Sequence, residues 1–393
     1  MSKTKGSRRL ATTGRCSSNL QPSSVNPVPN NPMKLSHPTL RMPELDGIRG
    51  LAALMVVGFH LAGVYSGFLG VDIFFVLSGF LITSILLREY DEHGEIRLKT
   101  FYLRRAIRLW PVLTVFLLVY GAVALALNRP LSNTLAAMAS VEFYYSNWLQ
   151  AFRAPVDLDM LTHTWSLSVE EHFYVVWPLA IIVLMRHVRN YRLIIGLLIG
   201  AIGAIGLWRG YLFWITASDP RCYCGTDTRA DALLSGCLVA FIRQLGLQVS
   251  HRLSAAALIA ILCLLLPPGW LKSGAVYYGG FTLITVAAPI LLLWILQNPQ
   301  HPACHLLRHR ALIWVGQISY SLYLWHWLVL RVMQTLIPNQ YVARPVALVL
   351  SFLVSALSFY AIERPCLRLK NRLTTMTAPA STRSKNVSPS RAC

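Results

Sequence analysis

The sequence predicts an all-α, polytopic transmembrane helical bundle of about ten spans, with both termini cytoplasmic. Three observations carry this. Of the 393 residues, 55% are hydrophobic and only 13% are charged, about half the charged share of a soluble domain. The apolar residues gather into runs close to the ~20 residues needed to cross a bilayer. The Lys and Arg residues fall mainly in alternate loops and in the two tails, the positive-inside bias of an even number of spans.

Residues 1–42 mix Lys and Arg with Ser, Asn and Pro, densest between Gln21 and Asn30, and read as a disordered basic cytoplasmic tail. No apolar run follows the early basic residues, so a cleavable signal peptide is not expected. Residues 43–370 hold the transmembrane domain. Its candidate spans are 46–65, 68–88, 103–127, 165–186, 192–215, 230–247, 253–268, 275–297, 311–332 and 343–363. The run at 253–268 is the shortest. Between the third and fourth spans, 131–150 is less apolar and ends in Tyr144-Tyr-Ser-Asn-Trp148, which suits an interfacial or re-entrant helix. Residues 371–393 form a second disordered basic tail.

The formal charge of +20 raises nucleic acid as a partner, but the basic residues border apolar segments and no nucleic-acid-binding motif accompanies them. The expected partner is the lipid bilayer, with self-association left open. The eight cysteines are scattered, and Cys222 and Cys224 are too close in sequence for an easy mutual disulfide. Neither a disulfide framework nor a metal site is expected.

Ionisable groups deep in a membrane are costly and usually line a pathway or reaction site. Arg49 and His60 lie about three helical turns apart on one stripe of the first span, with ~16 Å of rise between them. From the inner end, His60 then sits ~20 Å into a core ~30 Å thick. Asp72 in the second span, Glu170 in the fourth and His326 in the ninth fall at a similar depth, although Asp72 could instead cap the start of its span or pair with a neighbour. Ser166, Glu170, Tyr174 and Trp177 share one stripe by helical spacing, which favours Glu170 over Glu171 as the inward carboxylate. Ser319, Tyr323 and His326 form a comparable stripe. Histidine beside carboxylate is a common general-base arrangement. At the inner face, Arg105 and Arg108 share a helix face and join Arg49 as an anion clamp suited to phosphate. Anchoring to lipid phosphates is the ordinary alternative for these arginines. The Arg49–His60 rise matches the reach of a phosphopantetheine arm, so a cytosolic acyl-CoA could rest its phosphates on the clamp with its thioester at His60. No Walker or dinucleotide loop is present.

Several motifs then occur together and in order: Glu44-Leu-Asp-Gly-Ile-Arg-Gly50 with His60, Phe74-Phe-Val-Leu-Ser-Gly79, Arg104-Arg-Ala-Ile-Arg108, Trp165-Ser-Leu-Ser-Val-Glu170, and Ser319-Tyr-Ser-Leu-Tyr-Leu-Trp-His326. Over residues 43–370 the chain resembles the membrane acyltransferase family 3, which includes bacterial O-acetyltransferases of lipopolysaccharide O-antigen, exopolysaccharide and peptidoglycan. Gly225-Thr-Asp-Thr-Arg-Ala-Asp231, read as part of an outer loop, also resembles it. The resemblance implies an acyl-CoA donor, usually acetyl-CoA, with Arg49, Arg105 and Arg108 as its binding residues. It points to His60 and Glu170 as catalytic, and no metal is implied.

The combined expectation is an acyltransferase of the bacterial inner (cytoplasmic) membrane. It transfers an acyl group to a hydroxyl of a glycan or lipid-linked glycan, as in cell-surface polysaccharide O-acetylation. His60 serves as general base or carries the acyl group transiently, Glu170 orients or tunes His60 or deprotonates the acceptor, and Asp72, Tyr323 and His326 complete the substrate pocket. A hydrolase-like segment after the last span, as in some two-domain members, is not expected from residues 371–393. A proton-coupled transporter or flippase without covalent chemistry is the alternative, since buried His and carboxylates also relay protons.

Overall fold

The computed structural model describes residues 42–188, 190–265 and 274–369, and these form helices joined by short turns, with no strand among the described residues. The basic tails predicted for 1–42 and 371–393 lie outside the described residues, Met42 excepted. Six helical stretches are long and apolar enough to cross a membrane: Tyr65–His93, Leu98–Ala126, Asp159–His187, Tyr191–Thr216, Val276–Gln297 and Gln340–Leu369. Each coincides with one of the spans expected from sequence.

The other four expected spans differ for local reasons. Helix α1 (Pro43–Leu61) carries Glu44 and Asp46 in its first turn and Arg49 one turn later. Helices α2 (Leu69–His93) and α3 (Leu98–Ala126) follow it. The expected re-entrant stretch is two short helices, α4 (Leu131–Glu142) and α5 (Ser146–Ala151), separated at Tyr144, whose φ of 56° breaks the helix. Helices α6 (Trp165–His187) and α7 (Tyr191–Thr216) come next. The Asn190 side chain caps α7 by accepting from the Arg192 amide at 3.0 Å, which supplies one of the orphan donors at a helix start with a partner.

After the short α8 (Asp219–Cys224), helix α9 (Thr226–Gln244) starts inside the segment taken from sequence as an outer loop, and it carries Asp227, Arg229 and Asp231 in its first two turns. Helix α10 (His251–Leu265) is a short apolar helix, and the rest of its expected span lies outside the described residues. Helix α11 (Phe281–Gln297) and the short α12 (Pro302–Leu307) precede the expected ninth span. That span is broken at Ile318 into α13 (Arg310–Gln317) and α14 (Ser319–Leu336). Helix α15 (Gln340–Ser358) continues through a widened turn at Phe359–Glu363, a feature frequent at functional sites.

Helices α2 and α9, α1 and α13, and α14 and α15 are the closest partners. The α1–α13 contact depends on glycine. A Cβ on Gly316 would sit 1.9 Å from the Asp46 carbonyl oxygen, and one on Gly50 would sit 2.1 Å from that of Leu312. Backbone meets backbone there, which holds Arg49 and His60 in a fixed place against α14.

Candidate active site

Two cavities lie side by side. The first, of about 280 Å³, is lined by Arg49 from α1, Ser78 from α2, Arg105 and Arg108 from α3, Glu170, Glu171 and Tyr174 from α6, and Ser319 and Tyr323 from α14. The three arginines predicted to form an anion clamp therefore share one chamber, but they are not equally free. Arg105 meets Glu171 with its Nε at 3.0 and 3.1 Å from the two carboxylate oxygens and its Nη2 at 2.5 Å from Oε1. Its guanidinium lies over the Tyr174 ring. Arg108 has a buried Nε without a hydrogen-bond partner among the described residues. Glu363, set inward by the widened turn in the last helix, accepts from Ser321 Oγ at 2.9 Å and interacts electrostatically with Arg108 and Arg49.

The second cavity, of about 480 Å³, is lined mainly by rings: Phe59, Phe68, Trp165, Tyr223, Tyr277 and Trp327, together with His60, His163, Gln150 and Asp219. His60 Nδ1 lies 2.9 Å from His326 Nε2, and its ring lies 4.6 Å, centroid to centroid, from Trp327. His163 sits on the turn before α6, its Nε2 3.1 Å from the Leu324 carbonyl oxygen. Val71 and Tyr323 belong to the walls of both cavities. The Tyr323 hydroxyl donates to the His163 carbonyl oxygen at 2.7 Å and shares a 2.5 Å hydrogen bond with Ser166 Oγ. Tyr323 is thus a partition, held at its polar tip.

The structure brings Arg49, Arg105, Arg108, Glu170 and Tyr323 to one cavity, and His60 to the neighbouring cavity that Tyr323 also lines, with His326 hydrogen-bonded behind it. It departs from expectation at three points. Asp72 lines neither cavity. Its Oδ1 accepts from Arg229 Nη2 at 2.8 Å, and both side chains are about 1% exposed. The Arg229 guanidinium also lies 3.7 Å from the Phe281 ring centroid. A charge buried this deeply needs a partner, and α9, the helix packed on α2, supplies it. A second buried pair, Arg209 Nη1 to Asp231 Oδ2 at 2.7 Å, joins α7 to α9.

Glu170 makes no hydrogen bond to His60 among the described residues. It accepts from Ser78 Oγ at 2.9 Å in the arginine cavity, and the group bonded to His60 is His326. Glu171, expected to face away, lines the same cavity as Glu170, because the bound Arg105 draws it inward. His163 and Glu363 also belong to this region, and helical spacing in the sequence does not single them out. His163 precedes the apolar run of its span by only two residues. The signal for Glu363 was an acidic residue at the end of the last span, which resembles an ordinary interfacial residue.

Comparison with known proteins agrees with this architecture. The family profile described as an acyltransferase domain, of acyltransferase family 3, matches residues 42–364. The chain is 34% identical over 350 residues to the peptidoglycan O-acetyltransferase OatA of Listeria monocytogenes, covering 82% of this chain and 55% of that protein. It is 33% identical over 353 residues to the putative peptidoglycan O-acetyltransferase YrhL of Bacillus subtilis, covering 82% and 54%. A putative O-acetyltransferase of Staphylococcus aureus is 34% identical over 319 residues, covering 74% and 50%. The chain spans about half the length of the curated relatives it matches. No solved structure matches it. With a family match spanning nearly all the described residues and six apolar helices long enough to cross a bilayer, the chain is a multi-pass membrane protein that belongs to acyltransferase family 3.

Proposed function

We propose that the chain transfers an acetyl group from cytosolic acetyl-CoA to a hydroxyl of a cell-envelope glycan, in the bacterial cytoplasmic membrane. Ten spans with both termini inside put the arginine cavity toward the cytosol. The observation that carries this reading is the adjacency of an arginine-lined chamber and a histidine-bearing chamber of aromatic walls, with Tyr323 between them. Guanidinium groups suit the phosphates of the donor. Aromatic faces with a few polar groups suit a sugar ring, and the names of the relatives point to glycan as the acceptor.

In this reaction the acceptor hydroxyl gives its proton to the free nitrogen of His60, and its oxygen attacks the thioester carbonyl carbon. The carbon–sulfur bond breaks, and the thiolate of CoA leaves with the proton that His60 returns. Catalysis of this type typically contributes ~10²–10⁴-fold. Arg49 and Arg108 hold phosphate, with Arg105 bridged to Glu171 at the edge of the same site. Glu170 and Ser78 shape the route of the thioester. The test is thiol release from acetyl-CoA by the purified protein in nanodiscs, with muropeptide glycan as acceptor. Acceptor-dependent release that His60→Ala abolishes is expected. Movement of glycan across the bilayer with no thiol released would replace the reading with transport.

A further inference from the structure

Nothing in the sequence shows what sets the working state of His60, because a lone imidazole has two neutral tautomers and only one leaves a given nitrogen free to take a proton. The structure contains a local device that chooses. His326 is fully buried on α14, and its Nδ1 lies 3.0 Å from the Leu322 carbonyl oxygen and 2.8 Å from that of Tyr323. Carbonyl oxygens only accept, so that nitrogen carries a hydrogen. A second hydrogen on Nε2 would create a buried cation. Its hydrogen-bond neighbours are two carbonyls and an imidazole, with no carboxylate to compensate, and an unpaired buried charge is costly. His326 Nε2 therefore presents a lone pair.

That lone pair faces His60 Nδ1 at 2.9 Å. The bond forms only if His60 Nδ1 carries the hydrogen and donates it. The lone pair of His60 then falls on Nε2, which has no hydrogen-bond partner among the described residues, on a ring that lines the aromatic cavity. Trp327, with ring centroids 4.6 Å apart, limits how that ring can turn, and Trp327 is itself fixed by its Nε1 donating to the Asp159 carbonyl oxygen at 2.7 Å.

We propose that His326 is the positioning residue of this site: it fixes His60 in the tautomer whose Nε2 is free to act on substrate. The inference rests on the catalytic role of His60 given above and adds the group that makes His60 competent. His326 plays the part that a carboxylate plays behind a catalytic histidine elsewhere, with one difference. Its far nitrogen is tied to carbonyls, which accept no proton, so it holds and orients the ring without passing the proton onward. When His60 takes the acceptor's proton at Nε2, its Nδ1–H remains bonded to His326 Nε2, and no other proton moves.

The test uses full-length protein in nanodiscs with nitrogen-15-labelled histidine. Long-range proton–nitrogen correlation spectra, assigned to His60 by difference against His60→Gln, report which ring nitrogen is protonated. Wild type is expected to show Nδ1 protonated and Nε2 bare. His326→Leu should move His60 toward the other tautomer and lower kcat by ~100-fold, with the KM for acetyl-CoA little changed. His326→Gln offers a side-chain oxygen near the place of Nε2. It should keep the wild-type tautomer and recover most of the lost rate, and it serves as the folded control if the leucine variant does not assemble. A wild-type His60 with Nε2 protonated, or unchanged tautomer and kcat in His326→Leu, overturns the proposal. A protein that shows the expected tautomers but releases no thiol overturns the transfer reaction while leaving the positioning role intact.

Discussion

The carboxylate of Glu171 engages both the Nε and the Nη2 of Arg105, with the Tyr174 ring beneath the guanidinium. An arginine in that state is already oriented, and its charge is already balanced. On the proposed reading, anion binding in the cavity then falls chiefly to Arg49 and Arg108. Arg108→Ala is expected to raise the KM for acetyl-CoA more than Arg105→Ala does. The Arg105→Ala and Glu171→Ala pair should show a coupling of about 0.5–3 kcal/mol in a double-mutant cycle of thermal stability. Donor affinity measured by calorimetry, beside melting in detergent, checks both.

His60→Ala should cost ~10²–10⁴-fold in acceptor-dependent thiol release while leaving donor binding in the arginine cavity in place. The two sites are separate chambers that share only the Val71 and Tyr323 walls, so loss at one should not propagate to the other. Equilibrium binding of acetyl-CoA without acceptor is the measurement that separates them.

Asp72 and Arg229 give a stability prediction of the opposite kind. Removing one partner strands a buried charge, and Asp72→Ala should destabilise the protein by about 3–5 kcal/mol. Replacing both, as Asp72→Leu with Arg229→Met, should restore much of that loss, because paired charges in a dry interior are often no better than well-packed apolar groups. Thermal unfolding in nanodiscs reads both variants. If Asp72 were a substrate ligand, as the sequence suggested, Asp72→Asn would lower kcat with no change in melting.

Gly316→Ala places a carbon 1.9 Å from the Asp46 carbonyl oxygen, a clash of backbone against side chain that only helix movement relieves. Overpacking of this kind costs about 1–3 kcal/mol, and here the helix displaced is the one that carries Arg49 and His60. Loss of both stability and transfer is expected, whereas Gly200→Ala, on open helix surface, should leave both unchanged.

The parts of this fold that were legible in the sequence are those governed by local pattern. Long apolar runs such as 103–127 became single helices, and the Arg49–His60 stripe placed both residues on cavity walls. The Ser166, Glu170 and Tyr174 stripe likewise lines one chamber. What stayed hidden depends on partners far along the chain. Helical spacing says which face a residue occupies, and it does not say what lies opposite. Asp72 is therefore open in the sequence between a pocket role and a pairing, and only Arg229 lying against it decides; Glu170 is open between partnering His60 and acting on the acceptor, and the residue bonded to His60 is His326. The break at Ile318 was equally hidden, because Gly316-Gln-Ile-Ser319 keeps enough apolar character to pass for an uninterrupted run.

The hydrogen-bonded tip of Tyr323 has a consequence for the cell. In the ten-span arrangement proposed above the arginine chamber faces the cytosol, and a continuous watery route from it through the neighbouring chamber and across the bilayer would short-circuit the proton gradient. A phenol ring moored to Ser166 and to the backbone at His163 stands in the wall that the two chambers share. On the proposed reaction, a thioester arm reaching His60 would have to displace that ring, and would itself fill the opening.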